Sequence, residues 1–224
     1  MRSYLNLTVA VLVSVGVFAA NAVADDRYYS GAGQYRITIT NLTRGSLFTP
    51  ALVVTHKQGL SMFSEGSPAS EELAQLAEGG ATEALAQSLI DTGKVHDSVT
   101  SPVPVLAGQS VTLEVATNRR ADHLSLAAMI LPTNDGFIAL NGIQGPKRGQ
   151  TKVVYIPGYD AGSELNDEFC TNIPGPQCGG EGYSVNGGEG YVHIHAGIHG
   201  NGDLSRADYD WRNPIAKVTI EHLR

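Results

Sequence analysis

The chain has few of the residues and motifs that mark common catalytic and nucleic-acid-binding proteins. It carries two cysteines, one tryptophan, and 15 Lys and Arg residues against 22 Asp and Glu residues. This acidic balance, without a basic stripe, argues against nucleic acid as a partner and against docking on an anionic membrane. The sequence has no Gly-x-Ser-x-Gly elbow, phosphate-binding glycine loop, His-Glu-x-x-His helix or catalytic cysteine pattern, so it favours binding over catalysis.

Apolar runs long enough to span a bilayer are also missing. The apolar stretch near the N-terminus covers only about residues 7–18, and it follows the positive charge of Arg2. Small residues then lead to Ala24, directly before two aspartates. We therefore expect residues 1–24 to be a signal peptide and residues 25–224 to be a single secreted or periplasmic domain.

The scarcity of cysteine makes the two that are present informative. Cys170 and Cys178 enclose a short segment that contains two prolines and a glycine. In an exported chain, two cysteines at this separation are most simply a disulfide. The alternative, a pair of metal thiolates, lacks a second Cys or His pair at zinc spacing.

Alternation of apolar and polar residues predicts an all-β domain. Tyr35, Ile37 and Ile39 would share one face of a strand, and similar short runs recur with Gly, Pro and Asn turns between them. The predicted strands are residues 35–40, 51–56, 110–116, 124–131, 137–140, 152–156, 191–195 and 215–223. About eight such strands indicate an antiparallel β-sandwich.

One stretch departs from the strand pattern and predicts a short helical insertion. A cap, a proline and two acids at residues 67–72 precede Leu73 and Leu76 at helical spacing, and Gly80 ends the pattern. A second short helix is expected at residues 82–89. We expect both helices to lie across one end of the sandwich, from where an acid of this insertion could reach a site formed by other loops. The candidates are Glu65, Glu71 and Glu78.

Two turns place three acids where they could meet. Asp160 and Glu164 flank Ala-Gly-Ser after one predicted strand, and Asp135 lies in the turn after another. If both turns lie at the same end of the sandwich, three carboxylates converge, and they repel one another unless a cation or a proton neutralises them. Oxygen-only ligands favour calcium. The alternative is that these acids are solvated turn residues, because Asp is common in turns.

A histidine cluster offers a second candidate site. In a strand, His193 and His195 would point to the same face, and His199 could return after Gly197 to complete a three-histidine set. Such a set could hold zinc or copper with an open position, and would imply a metalloenzyme or a transition-metal-binding protein. The alternative is that the histidines are hydrogen-bonded residues of the core or its rim.

These motifs together resemble the spondin domain, the N-terminal domain type of F-spondin. The resemblance covers roughly residues 34–223, and the Asp-Ala-Gly-Ser-Glu element at Asp160–Glu164 is its most specific part. The other segments that carry it are residues 35–39, 69–80 and 132–137. The resemblance implies an antiparallel sandwich that holds calcium through three acids. By motif these acids are Asp135, Asp160 and Glu164, where the animal proteins have aspartate at the third position.

The resemblance also bears on function. Spondin domains belong to proteins of the extracellular matrix and of cell adhesion, but the thrombospondin repeats and reelin-like module of F-spondin have no counterpart in this sequence. The matrix role therefore does not carry over directly. We expect a secreted or periplasmic calcium-binding module without catalytic activity, which contacts an extracellular protein, a glycan or a cell surface. The metalloenzyme built on His193, His195 and His199 is the alternative.

Overall fold

In the computed structural model, which describes residues 33–184 and 187–223, the first strand buries one face and exposes the other. This strand, β1 (Gly33–Asn41), directs Tyr35, Ile37 and Ile39 into the core. Three further strands join it in an antiparallel sheet: β5 (Ser110–Thr117), β8 (Thr151–Ile156) and β11 (Ala216–His222). Their order is β5–β1–β11–β8. The buried face of this sheet forms one side of the sandwich core.

The second sheet is larger and is also antiparallel. Its strands are β2 (Leu47–Phe48), β3 (Leu52–His56), β4 (Val95–Thr100), β6 (His123–Leu131), β7 (Gly136–Gln144), β9 (Gly158–Asp160) and β10 (His193–Ile194). Their order is β10–β9–β7–β6–β3–β4, with β2 paired to β6. The inner face of this sheet packs on the smaller sheet through residues such as Val53, Leu126 and Ile138. Each large aliphatic side chain buried there contributes about 1.5–3 kcal/mol.

A helical layer covers the outer face of the larger sheet. Helix α1 (Glu71–Gly79) is capped by Ser70, whose side chain accepts the Leu73 N–H, and α2 (Glu83–Asp91) follows directly. Leu73, Leu76 and Leu85 pack with Leu52 and Phe137 in a second core. The expectation that the helices lie across an end of the sandwich is therefore wrong. They cover a face because β3 and β6 are apolar on both sides and need cover on both.

The predicted fold class, an antiparallel β-sandwich with a helical insertion, is confirmed, but the described residues hold eleven strands rather than about eight. The unpredicted strands are β2, β4 and β9. β4 has the sequence Val-His-Asp-Ser-Val-Thr, which lacks the apolar alternation that predicts a strand. It lies at the edge of the sheet and pairs with β3. Conversely, the strand predicted at residues 191–195 shortens to His193–Ile194.

The loops hold the remaining elements. A short 3₁₀ helix (Cys170–Asn172) begins at one half-cystine, and the predicted Cys170–Cys178 disulfide is confirmed. Helix α3 (Arg206–Tyr209) precedes β11. No helix in residues 33–184 or 187–223 has the length and apolarity of a membrane span. The expected signal peptide, residues 1–24, lies outside the described residues.

The packing of α1 predicts a large effect of Leu76→Ala. Leu76 is fully buried between α1 and the sheet, so truncation should lower the free energy of unfolding by about 2–5 kcal/mol. Ile90→Ala on α2 is the control, because Ile90 is 44% exposed and should change stability by less than about 0.5 kcal/mol. Urea denaturation measures both. Equal losses for the two variants would contradict the placement of the helical layer.

Candidate metal centre

The turn between β6 and β7 buries Asp135. The Thr133 hydroxyl accepts the N–H of Gly136 at 3.0 Å and donates to the carbonyl of Ile130, which closes the turn. Asp135 is 0% exposed as a result. A carboxyl group that is shielded from water in this way must be neutralised by a proton, by hydrogen-bond donors or by a cation.

The turn after β9 wraps around Asp135. The backbone N–H groups of Ser163 and Glu164 donate to Asp135 Oδ2 at 2.8 and 3.1 Å. β7 and β9 are neighbours in the sheet, which places Asp160 at the end of β9 beside the start of β7. The two acidic motifs of the sequence therefore meet at one end of the sandwich. Asp135 Oδ2 is the atom that joins them.

Gly162 allows the Asp-Ala-Gly-Ser-Glu turn to close. Its φ is +65°, and a Cβ at this position would lie 2.3 Å from the carbonyl oxygen of Tyr191, so a side chain cannot be placed there. The Gly162 N–H donates to Asp160 Oδ1 at 2.8 Å, and the Asn166 amide donates to Asp160 Oδ2 at 2.7 Å. Both oxygens of Asp160 thus have a donor, which fixes the orientation of this buried carboxyl group.

Glu78 brings a fourth carboxyl group to this end of the sandwich. It lies near the end of α1, is 0% exposed, and accepts the N–H of Ser184 on Oε2 at 2.8 Å. Of the three candidate acids of the insertion, Glu78 is the one that reaches the site, since its carboxyl group interacts with the Ser163 side chain and with Glu164. Glu65 instead contacts Tyr159, and Glu71 is exposed.

Three buried carboxylate oxygens in this region have no hydrogen-bond partner among the described residues. They are Asp135 Oδ1, Glu164 Oε2 and Glu78 Oε1. Each comes from a different segment: the β6–β7 turn, the turn after β9, and α1. Buried polar atoms in folded proteins are nearly always paired, so these three oxygens call for a proton, a water molecule or a cation.

Burial and mutual repulsion raise the pKa values of these acids. Burial raises the pKa of Glu164 to about 8, with further increases from Glu78, Asp135 and Asp167. Burial also raises the pKa of Asp135 to about 7, and the neighbouring Asp160 charge adds to the shift. The pKa of Glu78 is raised by burial as well, and the hydrogen bonds that it accepts only partly offset the increase. Burial and repulsion thus favour the protonated form of each acid when no cation is bound.

A different set of side chains is the most compact group of metal-ligand type among the described residues. One ligand atom from each of Asp160, Glu189 and His193 lies within 4.8 Å of the other two. Asp135, Asp160 and Glu164 share one loop junction but do not form a set this tight in the described part of the chain. Sequence reasoning missed Glu189, although its position four residues before His193 could have drawn attention to it.

The structure gives the three histidines different environments. His195 is buried against Trp211 with ring centroids 5.1 Å apart, and its Nδ1 accepts the N–H of Gly197. Burial lowers the pKa of His195 to about 4, so the ring is neutral. His199 is exposed, whereas His193 faces Asp160. No three-histidine set with closely spaced ring nitrogens occurs in residues 33–184 and 187–223.

Glu168 is a buried acid that the sequence does not single out. Its carboxylate accepts the N–H groups of three consecutive residues, His199, Gly200 and Asn201, at 2.6, 2.7 and 2.8 Å. Its own N–H donates to the side chain of Asn134, next to Asp135. Glu168 therefore ties the loop after β10 to the loops of the site. Unlike Glu78 and Glu164, it has its charge satisfied by backbone donors.

Comparison with known proteins agrees with this architecture. The model of the spondin N-terminal family (Spondin_N) matches residues 40–166, more than half of the chain. The matched segment contains Glu78, Asp135, Asp160 and Glu164, while Glu189 and the histidines of β10 and the loop after it lie beyond it. A comparison with curated proteins finds no matching relative. This chain belongs to the spondin N-terminal domain family.

Proposed function

We propose that this protein is a secreted or periplasmic calcium-binding module, whose ion fixes the loops at one end of the sandwich for contact with an extracellular protein or glycan. The observation that carries this proposal is the trio of buried, unpartnered oxygens on Asp135, Glu164 and Glu78. Family membership and the Cys170–Cys178 disulfide support the extracellular setting, since disulfides persist in oxidising compartments.

The donor set fits a hard divalent cation. Asp135, Asp160 and Glu164 would hold the ion, and Glu78 would add a fourth carboxylate from the helical layer. Calcium takes six to eight oxygen ligands, mainly from carboxylates, backbone carbonyls and water. When bound, it would supply the positive charge that these acids lack. Nitrogen and sulfur ligands are not needed, which favours calcium over transition metals at this position.

Calcium would order the loops because its ligands belong to separate segments. Asp135 already holds the backbone of Ser163 and Glu164 through one oxygen. An ion on its other oxygen would join this junction to Glu78, and so to α1. The ion would then hold Glu164 in place, and with it the start of the loop that leads to β10.

The loops around the site provide a surface suited to a partner. Several large apolar side chains in this region are exposed: Leu165, Phe169, Tyr183, Tyr191 and Ile194. Tyr and Phe contribute much contact area at interfaces, and tyrosine also hydrogen-bonds to proteins and sugars. With an acidic chain and no basic stripe, this surface fits a protein or glycan better than an anionic membrane.

Chelation should lower the thermal midpoint of the protein. Extracellular calcium modules bind with dissociation constants of about 0.1–1 mM, so a ten-fold excess of ion adds about 1.4 kcal/mol, or about 3–6 °C. Asp160→Asn and Glu164→Gln should remove most of this increase. Scanning calorimetry with calcium and with chelator measures it. An identical midpoint for the wild type in both conditions would refute the calcium site.

Glu78→Gln should have opposite effects with and without calcium. The substitution removes a buried charge that repels Glu164, so the metal-free protein should become more stable. It also removes one candidate ligand, so the calcium-induced increase in midpoint should shrink. Glu83→Gln on α2 is the control because Glu83 is exposed, and neither quantity should change. A full calcium response in Glu78→Gln would exclude Glu78 as a ligand.

The stability of the metal-free protein should depend on pH through Glu164. The pKa of Glu164 rises from 4.5 to about 8 on folding, so the folded state retains a proton that the unfolded chain releases. This group therefore favours the folded state fully below pH 4.5, and the contribution is lost as pH rises through about 8. In chelator, the midpoint of the wild type relative to Glu164→Gln should fall across this window. A constant difference would contradict the raised pKa.

A further inference from the structure

His193 and Asp160 face each other across two neighbouring strands. They are direct partners in the antiparallel pairing of β10 with β9, and His193 Nε2 lies 3.4 Å from Asp160 Oδ1. Glu189, four residues before His193, places its Oε2 3.9 Å from the same nitrogen. One nitrogen and two carboxylate oxygens thus converge on a common point at the end of the sheet.

The contact made by Nδ1 of the His193 ring determines whether Nε2 can bind a metal ion. Nδ1 lies 3.0 Å from the carbonyl oxygen of Ile194. A carbonyl oxygen only accepts, so Nδ1 carries the hydrogen, and in the neutral ring Nε2 bears a lone pair. Nε2 is buried and has no hydrogen-bond partner among the described residues. A lone pair that points at two carboxylates is unfavourable unless a proton or a metal ion lies between them.

The surroundings hold these three groups in the manner of a metal site. A ligating histidine usually donates its second ring N–H to a carbonyl or a carboxylate, as His193 does to Ile194. The Asn166 amide donates to Asp160 Oδ2 at 2.7 Å and lies 3.4 Å from Glu189 Oε1, so one side chain orients both carboxylates. The Asp160 side chain is 1% exposed, whereas those of His193 and Glu189 are 26% and 35% exposed. The site is preorganised on one side and open to solvent on the other.

We propose that Asp160, Glu189 and His193 form a transition-metal site, with zinc as the preferred ion and one position open to an external ligand. Imidazole together with carboxylates suits zinc, and calcium and magnesium disfavour the nitrogen donor. Ligands about 2.0–2.1 Å from zinc in a tetrahedron lie about 3.3–3.4 Å apart, which matches the 3.4 Å between His193 and Asp160. Glu189 Oε2 lies 3.9 Å from the same nitrogen, and its side chain is 35% exposed, which leaves it room to approach an ion.

This site does not rest on the proposed calcium function. Glu189 and His193 lie outside the set of acids assigned to calcium, and the two sites have only Asp160 in common. Of the three histidines considered in the sequence analysis, His193 alone takes part. The other two ligands are the carboxylates of Asp160 and Glu189.

The test is calorimetric titration of zinc into the mature protein, in buffer saturated with calcium. We expect one zinc ion per chain, and at least a ten-fold loss of affinity in both His193→Gln and Glu189→Gln. His199→Gln is the matched control, because His199 is an exposed histidine outside the group, and it should bind zinc as the wild type does. No zinc binding by the wild type, or unchanged binding in His193→Gln, would overturn the proposal.

Nitrogen NMR of the His193 ring in the wild type distinguishes a metal ligand from a protonated ring, and it does not depend on whether the variants fold. Zinc should shift the Nε2 resonance while Nδ1 keeps its hydrogen. Protonation at both nitrogens that persists with excess zinc would show an ion pair with Asp160 instead, and would overturn the site. Glu78→Gln separates the two proposals: it should weaken the calcium response and leave zinc affinity unchanged.

Discussion

Burial of carboxyl groups at one end of a β-sandwich is the constraint on which the other features of this protein depend. Glu78, Asp135, Asp160 and Glu164 come from a helix and from two turns, and burial raises the pKa of each. Unpaired ionised groups in such a position cost several kcal/mol each, comparable with the net stability of a domain. These acids are therefore tolerated at this end only when protons or a cation neutralise them, and the proposed calcium ion would couple the order of the loops to ion binding.

The sandwich provides the rigid frame that brings these acids together. Pairing of β7 with β9 fixes where the two acidic turns meet, and Asp135 Oδ2 joins them through backbone N–H groups. The helical layer adds Glu78 from outside the sheet. Glu168 shows the other way in which a buried acid is tolerated, because three backbone donors satisfy it. The contrast separates the acids that backbone donors satisfy from those that require a proton or a cation.

Sequence patterns predicted the sandwich, the disulfide and the junction between the two acidic turns, because each depends on local alternation or on a specific motif. The position of the helices was missed, although Leu52–His56 and the run from Leu124 to Leu131 are apolar on both faces and signal a covered sheet. Glu78 comes close to the acidic turns only because of that helix position. The sequence could therefore offer it only as one of three candidate acids. The alternation that places His193 and His195 on one face fails because the strand ends at Ile194.

Asp160 links the two proposed ion sites, since one buried carboxyl group faces both Asp135 and His193. The module would then carry a structural ion that orders its loops and a more exposed one able to accept an external ligand. The first ion is the one on which the order of the loops would depend. A crystal structure determined at neutral pH with millimolar calcium tests it most directly. The account predicts an ion about 2.4 Å from Asp135 Oδ1 and Glu164 Oε2, and a structure in which these oxygens bind only protons or water would contradict it.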